Sequence, residues 1–152
     1  MMRKLSRAIQ QSTYRYQRLV LLVGEHSSGK TRLLRRLSER EGYPYLRLGL
    51  ELSAQILGMT SAQRGAAAAE LVMQLVACAQ AEVVVVDDIE ILHLPGLHIE
   101  PLKALQQASR STVVVAAWPG TFRDRKLTYA APGHPEHRIY SEPGAIVLSI
   151  NP

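Results

Sequence analysis

The sequence predicts an α/β fold in three layers, with a parallel β-sheet sandwiched by helices. Three observations carry this expectation. Short, unbroken apolar runs recur at 19–23, 83–86 and 112–118, as expected of strands buried on both faces. Stretches of helical period fall between these runs, the alternation that builds parallel sheets. Directly behind the first two runs stand "GEHSSGKT" and "DDIE", so candidate chemistry falls at the carboxyl ends of strands, where such sheets bind ligands.

The elements follow in order. Residues 3–16 place Leu5, Ala8, Ile9, Ser12 and Tyr16 at helical spacing, a leading amphipathic helix within 1–17. The strand 19–23 ends at Gly24. From Lys30 to Arg40, Leu33, Leu34 and Leu37 make an apolar stripe and Arg32, Arg35, Arg36 and Arg40 cover the rest, until "EGYP" closes the helix. "YLRLGLEL" alternates like a strand, with Gly49 at a bend. Thr60 and Gln63 form a capping box for a helix whose apolar residues include Leu71, Leu75 and Ala79, with Cys78 a packed core thiol. "VVVV" is the next buried strand, "EPLKALQQASR" a helix, and "TVVVAAW" a strand broken by "PGT". The turn-rich stretch 122–144 carries a hairpin, and "AIVLSI" adds a last strand. One domain is expected over residues 1–152, its core spanning 18–152.

Composition sets outer bounds. The one cysteine excludes an internal disulfide, and the charged N-terminus lacks the apolar stretch of a signal peptide or membrane span, so a cytoplasmic protein without membrane contact is expected. The net charge of +5 is unevenly spread: the first forty residues hold ten basic and two acidic side chains, net +8, leaving −3 for the remainder. Arg3, Lys4, Arg7, Arg15 and Arg18 form a patch suited to weak, salt-sensitive contact with DNA, although on composition alone solvated helix faces are the simpler explanation of such a patch.

"GEHSSGKT" fits G-x-x-x-x-G-K-[ST], a phosphate-binding loop or Walker A motif, in its expected place between a strand and a helix. With glycine near 7% of residues, chance yields the pattern in well under about one in a hundred chains of this length. Gly24 and Gly29 let the backbone curl, so that the N–H groups of Glu25, His26, Ser27, Ser28, Gly29 and Lys30, with the positive end of the next helix and flanking Arg32, surround phosphate oxygens. Lys30 adds a point charge at the β/γ-phosphates of ATP, and the Thr31 hydroxyl is placed to ligate Mg²⁺. "VVVVDD" reads as a Walker B strand, with Asp87 holding Mg²⁺ through water. Strand alternation aims Asp88 and Glu90 together, away from Asp87, and either orients the attacking water; the plainer role for Asp88 is capping the next turn. Trp118 and Pro119 stand where related ATPases carry a polar sensor. Arg123 and Arg125 are candidates to act on a neighbouring copy in a homo-oligomer, a solvated turn being the simpler status. In "HPEH", Pro135 interrupts the spacing a metal-binding pair at His134 and His137 would use.

The acidic strand end resembles that of AAA+ ATPases related to bacterial replication initiators. Taken together, "RLVLLVGEHSSGKT", "LGLELS", "VVVVDDIEIL", "VVAAWPGT" and "LTYAAPGHPEHRIY" resemble the BrxF family, small P-loop proteins of BREX phage-defence systems, over nearly the whole chain. The resemblance implies a P-loop NTPase with a RecA/AAA+-like core and no helical lid domain. It also implies an ATP-binding component of an antiviral complex, with other BREX proteins as partners. Asp88 is frequently Asn in that family, which shifts catalytic attention to Glu90, and Glu25-His26 replace the more usual Pro and small residue. Two functions remain open: a weak Mg-dependent ATPase, or a nucleotide-dependent adaptor without useful hydrolysis. A small-molecule kinase using Arg123 to Arg125 as a lid is disfavoured, because nothing specifies a substrate pocket.

Overall fold

In the computed structural model, which describes residues 1–97, 99–129 and 137–150, the central sheet forms in the order β2-β3-β4-β1-β7, all parallel. Its strands are β1 (Leu19–Gly24), β2 (Tyr45–Arg47), β3 (Val83–Asp87), β4 (Val113–Arg123) and β7 (Ile146–Ser149). Alternation along the strands sorts the core into two halves. Val20 and Leu22 of β1, Val83 and Val85 of β3, and Val113, Val115 and Ala117 of β4 face α1 (Met2–Ser12) and α2 (Lys30–Glu41), meeting Leu5, Ile9, Leu34 and Leu37. Their neighbours Leu19, Leu21, Val84, Val86, Val114 and Ala116 face α3 (Leu48–Ile56), α4 (Ser61–Cys78) and α5 (Pro101–Ala108). This is the three-layer α/β architecture of RecA/AAA+-like P-loop cores.

Several elements depart from expectation. Helix α1 ends at Ser12, whose hydroxyl bonds the Ile9 carbonyl at 2.8 Å, and Tyr16 lies beyond it, exposed. "YLRLGLEL" is a three-residue strand followed by α3. Its leucines satisfy both periods, and the helical one prevails because Leu48, Leu52 and Ile56, four apart, all reach the core while Leu50 stays exposed. The capping box of α4 forms as expected, the Gln63 N–H donating to Thr60 Oγ1 at 3.2 Å and the Thr60 N–H to Gln63 Oε1 at 2.9 Å. Its buried face, however, is Ala68, Val72 and Val76, with Leu71, Leu75 and Ala79 only half-buried beside it. That phase turns Cys78 outward, so the thiol is exposed rather than packed.

"PGT" does not end β4. The strand runs on to Arg123 and pairs antiparallel with β5 (Lys126–Tyr129), which pairs with β6 (Arg138–Tyr140). Pro119, which has no N–H to donate, sits where β4 changes partner, and Asp124 and Arg125 close the hairpin with φ of 51° and 62°. Arg123 and Arg125 are exposed at this turn. Of the "HPEH" residues, His134 to Glu136 lie outside the described residues.

The hairpin covers an aromatic cluster. Trp118 is fully buried and donates from Nε1 to the Thr128 carbonyl at 2.9 Å; His93 stacks on Tyr129 with ring centroids 3.3 Å apart and meets Trp118 edge-on at 5.4 Å. His93 is 2% exposed, and neither ring nitrogen has a hydrogen-bond partner among the described residues. Burial first, then the charge of Arg138, hold its pKa down to about 4. The folded state therefore takes up this proton less readily than the unfolded chain. The His93 contribution to stability is fully present above pH 6.5 and is lost as pH falls toward 4, costing roughly 2 kcal/mol by pH 5. Thermal melts should show His93→Phe losing less stability than the wild type between pH 7 and 5; parallel losses would show that His93 does not titrate this way.

Candidate nucleotide site

The cleft is built where β1 and β3 end. One strand, β4, separates them, so their tips stand about 10 Å apart, a gap that side chains from both can span. Asp87 follows Val83 and Val85 in alternation, so its side chain emerges on the α2 face, toward the first turn of that helix. There the Thr31 hydroxyl donates to Asp87 Oδ2 at 2.7 Å. The Asp88 N–H donates to Oδ1 at 2.8 Å, and the Tyr45 hydroxyl also bonds Oδ2. Asp87 is 8% exposed, and these three donors satisfy a carboxylate at the edge of an otherwise apolar strand.

The glycine loop lies over this pair. Gly29 caps α2 with φ 97°, a left-handed conformation that glycine adopts without the penalty of a Cβ. Lys30 folds back over the loop, its Nζ donating at 2.7 Å to the carbonyls of both Gly24 and Glu25 and at 3.4 Å to Ser28 Oγ. Partial burial lowers the Lys30 pKa, while the nearby charges of Glu90 and Asp87 oppose that shift. An ammonium resting on two carbonyl oxygens is arranged to exchange them for the oxygens of an anion.

The resulting cleft encloses about 570 Å³. Of the loop it takes in His26 through Arg32, and of the acidic end Asp87, Asp88 and Glu90, so residues as far apart in sequence as Thr31 and Asp87, 56 positions, come together. Gly24 and Glu25 line a smaller neighbouring cavity instead and meet the main cleft through their carbonyls, which hold Lys30. His26 and Arg32 are exposed on its rim.

The acidic end differs from an extended strand. Asp88 takes the left-handed region, φ 61° and ψ 54°, and Ile89–His93 coil into a 3₁₀ turn, so strand alternation does not set where Asp88 and Glu90 point. Asp88 occupies the N-cap position of that turn without a side-chain capping bond. Two contacts account for its place. A Cβ on Gly49 would run into the Asp88 carboxylate, so only glycine at the start of α3 admits it, and Asp88 in turn bonds the side chain of Glu90. The two acids thus meet by a tight turn rather than by a shared strand face. Glu90 is exposed as a residue, yet partial burial of its carboxyl, then the Asp88 bond and the charges of Asp88 and Asp87, push its pKa up to about 7. A carboxyl poised there can give or take a proton near neutrality.

Three cleft residues escaped the sequence reading. Tyr45 comes from β2, which pairs in register with β3, Tyr45 opposite Val85; Arg47 follows two residues on the same strand; and Arg35, one turn along α2, stands 5.5 Å over the Tyr45 ring. Burial, then the bond to Asp87, push Tyr45 up to about 12, so it stays a neutral hydroxyl donor. The polar sensor stays absent from the end of β4, where buried Trp118 gives way to Pro119 at the cleft wall.

No protein-family model and no curated protein matches the chain. Among solved structures, one described as "Structure of C. elegans PCH-2" is similar at 16% identity with a TM-score of 0.49, over 98% of this chain and 41% of that one. This chain thus spans less than half the length of that structure.

Proposed function

We propose that this chain binds Mg·ATP and hydrolyses it weakly, using the bound state to control assembly of a bacterial BREX defence complex. The observation that carries the nucleotide reading is the Thr31 to Asp87 hydrogen bond beneath the glycine loop, because it joins the two positions that hold a hydrated divalent cation in P-loop sites. The donor set fits the group. Thr31 offers a hydroxyl oxygen, Asp87 a carboxylate, and Lys30 an ammonium now held by carbonyls. Mg²⁺, when bound, neutralises charge on the phosphate oxygens. The chain supplies the rest: loop amides and Lys30 grip the phosphates, Thr31 and Asp87 orient the hydrated cation, and Glu90, with Asp88 bonded to it, positions a water. The BREX assignment rests on the five sequence motifs quoted above. No helix among the described residues is long and apolar enough to cross a membrane.

Weak turnover, or none, is favoured by the missing polar sensor, and the adaptor is therefore the second reading. Radiolabelled ATP hydrolysis, measured alone and with DNA and BREX partner proteins, separates the two. Turnover above background supports the ATPase; tight binding with no turnover in every mixture leaves the adaptor.

DNA contact is proposed for the helical layer formed by α1 and α2. Arg3, Lys4, Arg7 and Arg15 are exposed on or just after α1, and Arg32, Arg35, Arg36 and Arg40 continue the same sign on α2, which packs on the same face of the sheet. With Arg18 the N-terminal group offers five phosphate contacts, for which affinity for duplex DNA should fall with salt at a log–log slope of about −4.5. Replacing Arg3, Lys4 and Arg7 with Ala should flatten that slope by about 3. Binding indifferent to salt would remove this face from consideration.

A further inference from the structure

We propose that Tyr45 is a positioning residue for the hydrated cation, its hydroxyl oxygen accepting a hydrogen bond from a metal-bound water alongside Asp87. This rests on the Mg·ATP reading of the same cleft.

The inference starts from how few acceptor positions Asp87 has left. A carboxylate offers about four lone-pair sites. On Oδ2 the Thr31 hydroxyl, at 2.7 Å, and the Tyr45 hydroxyl take two; on Oδ1 the Asp88 N–H, at 2.8 Å, takes a third. Waters bound to a divalent cation point their protons outward and need acceptors, and Mg²⁺ sheds its waters reluctantly, so it keeps several. Asp87 alone can serve one of them. Tyr45 is built to serve the next. Its proton is committed to Asp87 and the Arg35 guanidinium draws on one lone pair of its oxygen, which leaves the other as an acceptor, and the residue lines the cleft beside Thr31.

Local structure supports a fixed role. β2 pairs in register with β3, which brings Tyr45 out on the face shared by Val85 and Asp87. The guanidinium of Arg35 stands 5.5 Å over the ring and holds the aromatic plane. Phe at this position keeps the ring and its stacking with Arg35 and removes the hydroxyl with its bonds to Asp87 and Arg35; both of those bonds exist without the cation, so the Mg²⁺ factor, not ATP affinity alone, isolates the proposed function. A competing possibility is that the hydroxyl plugs the cation position, in which case its removal would tighten metal binding.

Calorimetric titration of ATP into the wild type and Tyr45→Phe, each in EDTA and in Mg²⁺, yields for each protein the factor by which Mg²⁺ tightens ATP. For Tyr45→Phe the expected result is ATP affinity in EDTA within about twofold of wild type and a Mg²⁺ factor lowered by about tenfold, the size typical of losing an outer-shell partner. A purely structural role would weaken ATP in both conditions alike. An unchanged or larger Mg²⁺ factor, or equal weakening in EDTA and Mg²⁺, overturns the proposal while leaving the nucleotide site intact. Wild type that takes up no ATP in either condition overturns the site itself.

Discussion

Lys30→Ala is expected to weaken ATP binding by about a hundredfold or more and to abolish turnover with it. Two oxygens now receive the ammonium at 2.7 Å, the carbonyls of Gly24 and Glu25, and in the complex phosphate oxygens carrying full negative charge take that place. Charge-assisted hydrogen bonds are worth about 1.5–3 kcal/mol each, and two of them lost correspond to a factor of a hundred or beyond. The fold should survive, because Lys30 lies at the first position of α2 and its removal uncovers only carbonyls near solvent. Equilibrium binding of ATP to the variant, with circular dichroism and a melt as controls, gives the answer. A dissociation constant within about threefold of wild type in well-folded protein would remove Lys30 from the site.

Glu90→Gln should separate binding from chemistry. Glu90 touches neither the glycine loop nor Thr31 through any hydrogen bond among the described residues, so ATP affinity should hold. Hydrolysis should fall by about a hundredfold or more, the loss expected when a water-orienting base is removed. The pH dependence carries a second signature. A base works in its charged form, and burial with the Asp88 contact lifts Glu90 to about 7, so wild-type turnover should climb between pH 6 and 8 and level off above. In Glu90→Gln that climb should vanish. If Asp88→Asn rather than Glu90→Gln abolishes turnover, the roles of the two acids are reversed.

Much of this site was legible because its two halves are local motifs. "GEHSSGKT" and "VVVVDD" each contain their own strand end, and an order of strands and helices suffices to put both at one edge of the sheet. What the sequence could not convey was lateral order. Tyr45 enters the cleft only because β2 lies beside β3, an adjacency set by packing over the whole sheet rather than by any residue near Tyr45. Gly49 shows a related limit: read as a strand bend, it is instead the one place where a helix start can admit the Asp88 carboxylate. Periodicity misled where leucine spacing satisfied two rules at once, at 46–52, and where a small-residue helix left its buried face to Ala68, Val72 and Val76, turning Cys78 to solvent. Pro119-Gly120 signals a break in isolation but marks a change of pairing partner once β5 is present to receive β4.

The central claim is that a triphosphate and a divalent cation share the cleft between β1 and β3. Isothermal titration of ATP into the folded wild-type protein, with and without Mg²⁺, tests it most directly. Saturable uptake of one ATP per chain, tightened by Mg²⁺ and lost in Lys30→Ala, is the expected result. No uptake of any purine triphosphate under either condition, by material whose melt shows it folded, would contradict the account.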